Sequence, residues 1–157
     1  MKMPRLRIRR VRRTDFTAVM AMLAAAGVAV PPPERATLRR FRNIVADLGA
    51  DFSLVLVDGT LAGLVHVTYA RQLAQPPRAT LEQLVVATPF RRRGVGSALL
   101  AFAAARAGKR GCTLLCYAAA RTDGEARSFL ESGGLQCRGE WYVQTLRGAG
   151  GDARGDG

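Results

Sequence analysis

Leu81-Glu-Gln-Leu-Val-Val-Ala-Thr-Pro-Phe-Arg-Arg-Arg-Gly-Val-Gly-Ser-Ala-Leu-Leu100 holds a strand, a turn and the start of a helix. Leu81–Val86 is apolar and β-branched, which predicts a strand, and Pro89, lacking an amide hydrogen, stops it. From Gly94 to Ala107 the apolar Val95, Leu99 and Phe102 recur at helical steps. Between the two lies Arg91-Arg92-Arg93-Gly94-Val95-Gly96. The first turn of a helix carries amides without intrahelical partners and a partial positive charge, so it can hold phosphate oxygens. Gly94 and Gly96 let the backbone approach an anion closely, and successive amides can form a nest. Three arginines at that end oppose the helix dipole, a cost that a bound anion would offset. Two common phosphate loops are excluded. A P-loop needs a lysine that is missing here, and a dinucleotide fingerprint needs a third glycine where Leu99 stands.

Outward from this stretch the pattern alternates between strand and helix periods. Residues 5–11 alternate Arg with Leu6 and Ile8, a half-buried strand with a charged outer face. Thr14-Asp15 opens a helix with Phe16, Val19, Met20 and Leu23 on one side, ended by Gly27. Pro31-Pro32-Pro33 leads into a second helix that buries Leu38, Phe41, Val45 and Leu48. Ser53–Val57 and Leu61–Tyr69 are strands joined by the hairpin signal Asp58-Gly59. Residues 71–79 read as a loop. Cys112–Tyr117 is a strand too apolar for an exposed edge. Thr122-Asp-Gly-Glu125 is a capping box for a short helix that ends at Gly133-Gly134. Trp141–Leu146 is a last strand. The order β-α-α-β-β-β-α-β-α-β predicts an α/β chain (an α+β mixed sheet) with helices on both faces. Residues 1–147 form one domain in this reading, and 148–157 a disordered tail.

Composition narrows the field. The chain of 157 residues is 48% hydrophobic and carries 24 Lys+Arg against 12 Asp+Glu, a net charge of +12. No apolar run is long enough to span a membrane and no secretory leader is visible, so a cytoplasmic protein is expected. Cys112, Cys116 and Cys137, with the single His66, have no metal-ligand spacing, so no metal site is expected. Only Lys2 and Lys109 are lysines, leaving 22 arginines. Residues 1–13 hold +7 without an acid, which raises a polyanion partner as a hypothesis. No aromatic residues interleave those arginines for stacking on single strands, and no nucleic-acid partner is expected.

The central stretch resembles the GCN5-related N-acetyltransferase (GNAT) superfamily. Its Arg/Gln-x-x-Gly-x-Gly/Ala signature is matched by Arg91, Gly94 and Gly96, flanked by Leu84-Val85-Val86 before it and by Ser97 and Leu99 after it. Ala126-Arg-Ser-Phe129-Leu130-Glu-Ser-Gly-Gly134-Leu135 resembles a second family motif, with Leu130 where a tyrosine is usual. The resemblance implies a GNAT-like acyl-CoA N-acyltransferase fold, with a central, mostly antiparallel mixed sheet flanked by helices. It implies acetyl transfer from acetyl-CoA to a primary amine, by direct attack in a ternary complex. Amides from Arg92 through Arg93, Gly94, Val95, Gly96 and Ser97 would hold the CoA pyrophosphate, with Arg91 of the signature a further cofactor-binding residue. The strand at Leu84, Val85 and Val86 would pair with the pantetheine arm, diverging from the next strand to seat the thioester. An amide near Val86 would polarise the thioester carbonyl.

Such chemistry needs a base, because an alkyl amine with a pKa of about 10 arrives protonated. Glu82, on the cofactor strand and in phase with Leu84 and Val86, is the candidate; an ion pair with an arginine such as Arg78 is the alternative. The departing thiolate would take a proton from a tyrosine. With Leu130 at the usual position, Tyr117 and Tyr142 are the substitutes. His66, mid-strand, reads as structural. Arg71, Arg78 and Arg121 would favour an acceptor carrying a negative group if they line the cleft. A small-molecule amine is the leading acceptor, with protein N-termini or lysines as alternatives. A catalytically silent acyl-CoA sensor is a second class, and edge strands leave a homodimer open.

Overall fold

The computed structural model describes residues 5–32, 34–118, 124–139, 142–144 and 146. β1 (Leu6–Arg10) leads through a 3-10 turn at Arg13–Asp15 into α1 (Phe16–Ala25) and α2 (Arg35–Ala46). β2 (Asp51–Val57), β3 (Thr60–Ala70) and β4 (Arg78–Val86) then form a meander. A second 3-10 turn, Thr88–Phe90, precedes α3 (Val95–Lys109), β5 (Leu114–Cys116) and α4 (Gly124–Ser132). The sheet order is β1-β2-β3-β4-β5, antiparallel except for the last, parallel pair. The Asp58-Gly59 hairpin stands as expected: both residues have positive φ, 49° and 84°, the handedness that a two-residue turn between twisted strands requires.

Alternation along the strands divides the core in two. Leu54 and Leu64 meet Val19, Met22, Leu23 and Phe41 of α1 and α2 on one face. Val55, Val65, Val67, Ala79 and Leu81 meet Val95, Leu99 and Ala103 of α3 on the other. One residue therefore separates two cores, as period-two side-chain placement dictates. The expected mixed sheet with helices on both faces is what the chain forms.

The differences from expectation have local causes. β4 begins at Arg78 rather than Leu81, because Arg78–Thr80 pair on both sides, with Ala70–Thr68 and with Leu114–Cys116. β5 is shorter than Cys112–Tyr117, since the Cys112 amide still bonds the Ala107 carbonyl of α3 at 3.0 Å. It is also the last strand of the described sheet, with Leu114 54% exposed, so its apolarity did not mean a central position. Leu48 lies beyond α2 and is 79% exposed. The helix ends before it because the Arg10 guanidinium donates to the carbonyls of Val45, Asp47 and Ala50. Tyr142–Gln144 and Leu146 belong to no strand, while Trp141 and Thr145 lie outside the described residues. So do Thr122 of the expected capping box, Arg121 and the 148–157 tail.

Candidate active site

β4 and β5 share three residue pairs, Arg78–Thr80 with Leu114–Cys116, and then part. From Leu81 onward β4 has a partner only on the β3 side among the described residues. The Ala87 amide bonds the Ala62 carbonyl at 2.8 Å. By strand alternation the amides of Val86 and Leu84 therefore point to the open side. The Val86 carbonyl also faces there, accepting from Arg91 Nε at 3.3 Å. A parted sheet thus exposes a short row of donors and acceptors, suited to an extended ligand lying along the strand.

The N-terminus of α3 closes one end of this gap. Gly94 caps it in a left-handed conformation, φ 78°. The first-turn amides of Val95, Gly96 and Ser97 donate to no protein acceptor among the described residues. Gly96 is tight on its own account: a Cβ there would stand 3.2 Å from the Phe129 ring of α4. A cleft of about 1150 Å³ results, bounded by β4, the α3 turn, α4, and Ala26 and Val28 after α1.

Of the residues expected to hold the cosubstrate, Leu84, Val85, Val86, Arg91, Arg92, Gly94, Gly96 and Ser97 line the cleft. Arg93 and Val95 do not. Arg93 stacks over Phe90 at 5.4 Å, and the Val95 side chain is buried in the α3 core. Arg91 acts as a clip, with its guanidinium also donating to the Ala26 carbonyl at 3.2 Å. Arg92, itself left-handed at φ 60°, reaches Glu125 of α4 at 3.8 Å across the cleft mouth. Both partners are largely exposed, so this ion pair contributes little to stability. Val28 carried no sequence signal. Glu125 was legible only as a capping residue, because the facing of α3 and α4 is a tertiary fact.

Glu82 stands differently from its expected phase. Val67 pairs with Leu81 and His66 with Gln83, so Glu82 is the extra residue of a β-bulge. The bulge resets the alternation: Leu81, Leu84 and Val86 all face the α3 core. Glu82 faces the α1–α2 side, where its Oε1 accepts from Thr68 Oγ1 at 2.5 Å. No ion pair with Arg78 or another arginine forms among the described residues. Tyr117, just past β5, is 40% exposed and Tyr142 is 85% exposed; neither lines the cleft.

A second ionic cluster sits at the other end of α3. Buried Asp51 accepts from Tyr69 Oη at 2.5 Å and from Arg106 at 2.9 Å, with Arg110 Nε at 3.4 Å. Burial opposes the Asp51 charge, but the Arg106 and Tyr69 hydrogen bonds and the two guanidinium charges outweigh it and hold the carboxyl below its ordinary range. Burial and the Asp51 hydrogen bond push the Tyr69 phenol up. The cluster ties the last turns of α3 to the start of β2, away from the cleft. No group of three or more residues able to hold a metal ion occurs among the described residues, nor a helix long and apolar enough to cross a membrane.

Solved structures share this architecture. A transcriptional regulator from Bacillus halodurans C-125 superposes with a TM-score of 0.80 at 24% identity, covering 90% of this chain and 100% of its own. Glucosamine-6-phosphate N-acetyltransferase from Arabidopsis thaliana gives 0.73 at 16%, covering 91% and 99%. AAC(6')-Iy, in complex with the bisubstrate analogue CoA-S-monomethyl-acetylneamine, gives 0.76 at 18%, again covering 91% and 99%. At these identities the likeness speaks for the fold. No curated protein matches the sequence. Residues 14–133 match the model of the Acetyltransferase (GNAT) family, and with that span covering most of its length the chain belongs to this family of acetyltransferases.

Proposed function

We propose that the protein transfers an acetyl group from acetyl-CoA to the primary amine of a small molecule, by direct attack within a ternary complex. The observation that carries this reading is a coincidence of backbone donors. The open edge of β4 at Leu84 and Val86 and the first-turn amides of α3 border one cleft. The first suits an amide-containing arm and the second a pyrophosphate, in the order in which CoA presents them. The left-handed Gly94 and the crowded Gly96 fit that cradle, since a side chain at Gly96 would fill the space beside Phe129.

In this reading the Val86 amide sits where negative charge develops on the thioester carbonyl. Glu82 removes the proton from the incoming ammonium on the α1–α2 side of β4, where Thr68 holds its Oε1. With Tyr117 and Tyr142 both off the cleft lining, the leaving thiolate departs without a tyrosine acid, which a thiol with a pKa of about 8.5 allows. The small-molecule acceptor draws support from similar folds: one is solved with an acetylneamine bisubstrate analogue and another with sisomicin. Leu130 at the usual tyrosine position favours a second reading, a silent acyl-CoA sensor.

Two measurements separate them. Acetyl-CoA at about a hundred times its dissociation constant should stabilise the fold by about 2.7 kcal/mol in a thermal shift. Thiol release is then followed with sisomicin, neamine, glucosamine 6-phosphate and a lysine peptide. Release with one of the first three bears out the proposal, and release with the peptide alone moves the acceptor to proteins. Stabilisation without release on any amine assigns the sensor, and no stabilisation overturns both readings.

A further inference from the structure

Three arginines lead into α3, and the structure employs each differently. Arg91 is pinned to backbone, with its Nε on the Val86 carbonyl at 3.3 Å and its guanidinium on the Ala26 carbonyl at 3.2 Å. Arg93 lies over the Phe90 ring at 5.4 Å and is absent from the cleft lining. Arg92 does line the cleft, and its one ionic partner among the described residues is Glu125, at 3.8 Å. That separation is long beside the 2.7–2.9 Å or so of a charge-assisted hydrogen bond. The two side chains are 84% and 76% exposed, so water surrounds both. Arg92 also holds φ 60°, a region costly to an L residue, so the turn keeps an arginine there against local preference. Glu125, the second residue of α4, is the sole carboxylate among the described residues that line the cleft.

We propose that the Arg92 guanidinium leaves Glu125 for the CoA pyrophosphate as the cosubstrate enters, and returns to Glu125 as CoA departs. This rests on the proposed role of the cleft as the CoA site. A pyrophosphate offers a guanidinium paired, charge-assisted contacts that a solvated carboxylate at 3.8 Å does not. With Arg91 tied to two carbonyls and Arg93 to a ring, Arg92 is the cation of the three that can exchange partners. The exchange carries a cost. Glu125 stays at the mouth without its cation and faces the arriving anion, so it opposes binding twice: by holding Arg92 beforehand and by repelling phosphate afterwards. Acetyl-CoA and product CoA carry the same pyrophosphate, so this opposition acts on both and speeds the departure of the product. Glu125 thus tunes affinity for the cosubstrate from α4, across the cleft from the turn that binds it.

Calorimetric titration of the full chain with CoA tests this without any acceptor amine. Glu125→Gln should tighten the Kd about threefold, the scale of an exposed ion pair. Arg92→Gln should weaken it about tenfold, as the loss of a charged hydrogen bond does. The double variant supplies the decisive comparison. With Arg92 gone, Glu125→Gln should gain far less than it does alone, because the two residues act through one contact. Equal gains in both backgrounds make Glu125 a repelling charge only and overturn the exchange, as does an unchanged or weaker Kd in Glu125→Gln. Dephospho-CoA, which keeps the pyrophosphate and lacks the ribose phosphate, should show the same variant effects; their disappearance removes the pyrophosphate as the partner of Arg92. Both side chains are exposed, so the free variants should keep the wild-type Tm to within a few degrees. A wild-type chain that takes up no CoA overturns the parent reading along with the exchange, whereas the variant outcomes bear on the exchange alone.

Discussion

Gly94 and Gly96 were legible as a pair, yet the structure gives them different tasks. Gly94 holds φ 78° with nothing within 4 Å of a would-be Cβ, so its requirement is conformational. Gly94→Ala should therefore cost about 1 kcal/mol, the usual penalty for a left-handed L residue. A fall of about 2–4 °C in Tm is expected for a chain of this size, and an unchanged Tm would contradict the assigned backbone. Gly96 is limited by space beside Phe129 instead. Sequence reading reached the turn and its unpartnered first-turn amides because those properties are local. It misjudged the face of Glu82 because a bulge adds one residue without any compositional mark. At Arg93 and Val95 only the backbone remains at the turn, since their side chains go to Phe90 and the core.

The position of α3 is fixed at both ends. Its first turn borders the cleft, and its last turns are held by Asp51 through Arg106 and Arg110. Removing one partner of a buried pair costs about 3–5 kcal/mol, but Arg106 is 39% exposed, so Asp51→Asn should lose nearer about 2 kcal/mol. The pH dependence has a defined sign. The folded carboxyl titrates below its unfolded value of 3.8. Its stabilisation is therefore complete above that value and disappears as pH falls through the lower, folded one. Acid titration of the fold should show a steep loss below about pH 4 that is blunted in Asp51→Asn. An equally steep limb in the variant would remove Asp51 from the account. This cluster was invisible in the sequence: Asp51, Tyr69 and Arg106 lie far apart in the chain, and only the β2–β3 register and the length of α3 bring them together. The elements themselves were largely legible from periodicity. Their ends were not, since Arg10 and Cys112 set boundaries through contacts outside the local pattern.

At the scale of the molecule, the large positive charge resolves into separate uses. Arg9 pairs with Asp15 at 2.8 Å and Arg10 closes the end of α2, so part of the basic first strand is structural. Arg91 braces the cleft through backbone carbonyls, and Arg92 faces its mouth. The parted edge of β4 has a temporal consequence as well. Amides with no protein acceptor exchange their hydrogens with solvent on the timescale of local fluctuation, while those locked in a ladder wait for larger openings. Leu84 and Val86 should therefore exchange quickly in the free protein, and Val85, turned to β3, slowly. Saturating acetyl-CoA should slow the first two and leave the third nearly unchanged, as read by amide exchange mass spectrometry or NMR. Equal rates at all three positions, with or without ligand, would remove the strand from the binding surface. The sheet, in these terms, is a clock with two idle positions, and its stillness reports when the missing neighbour has arrived.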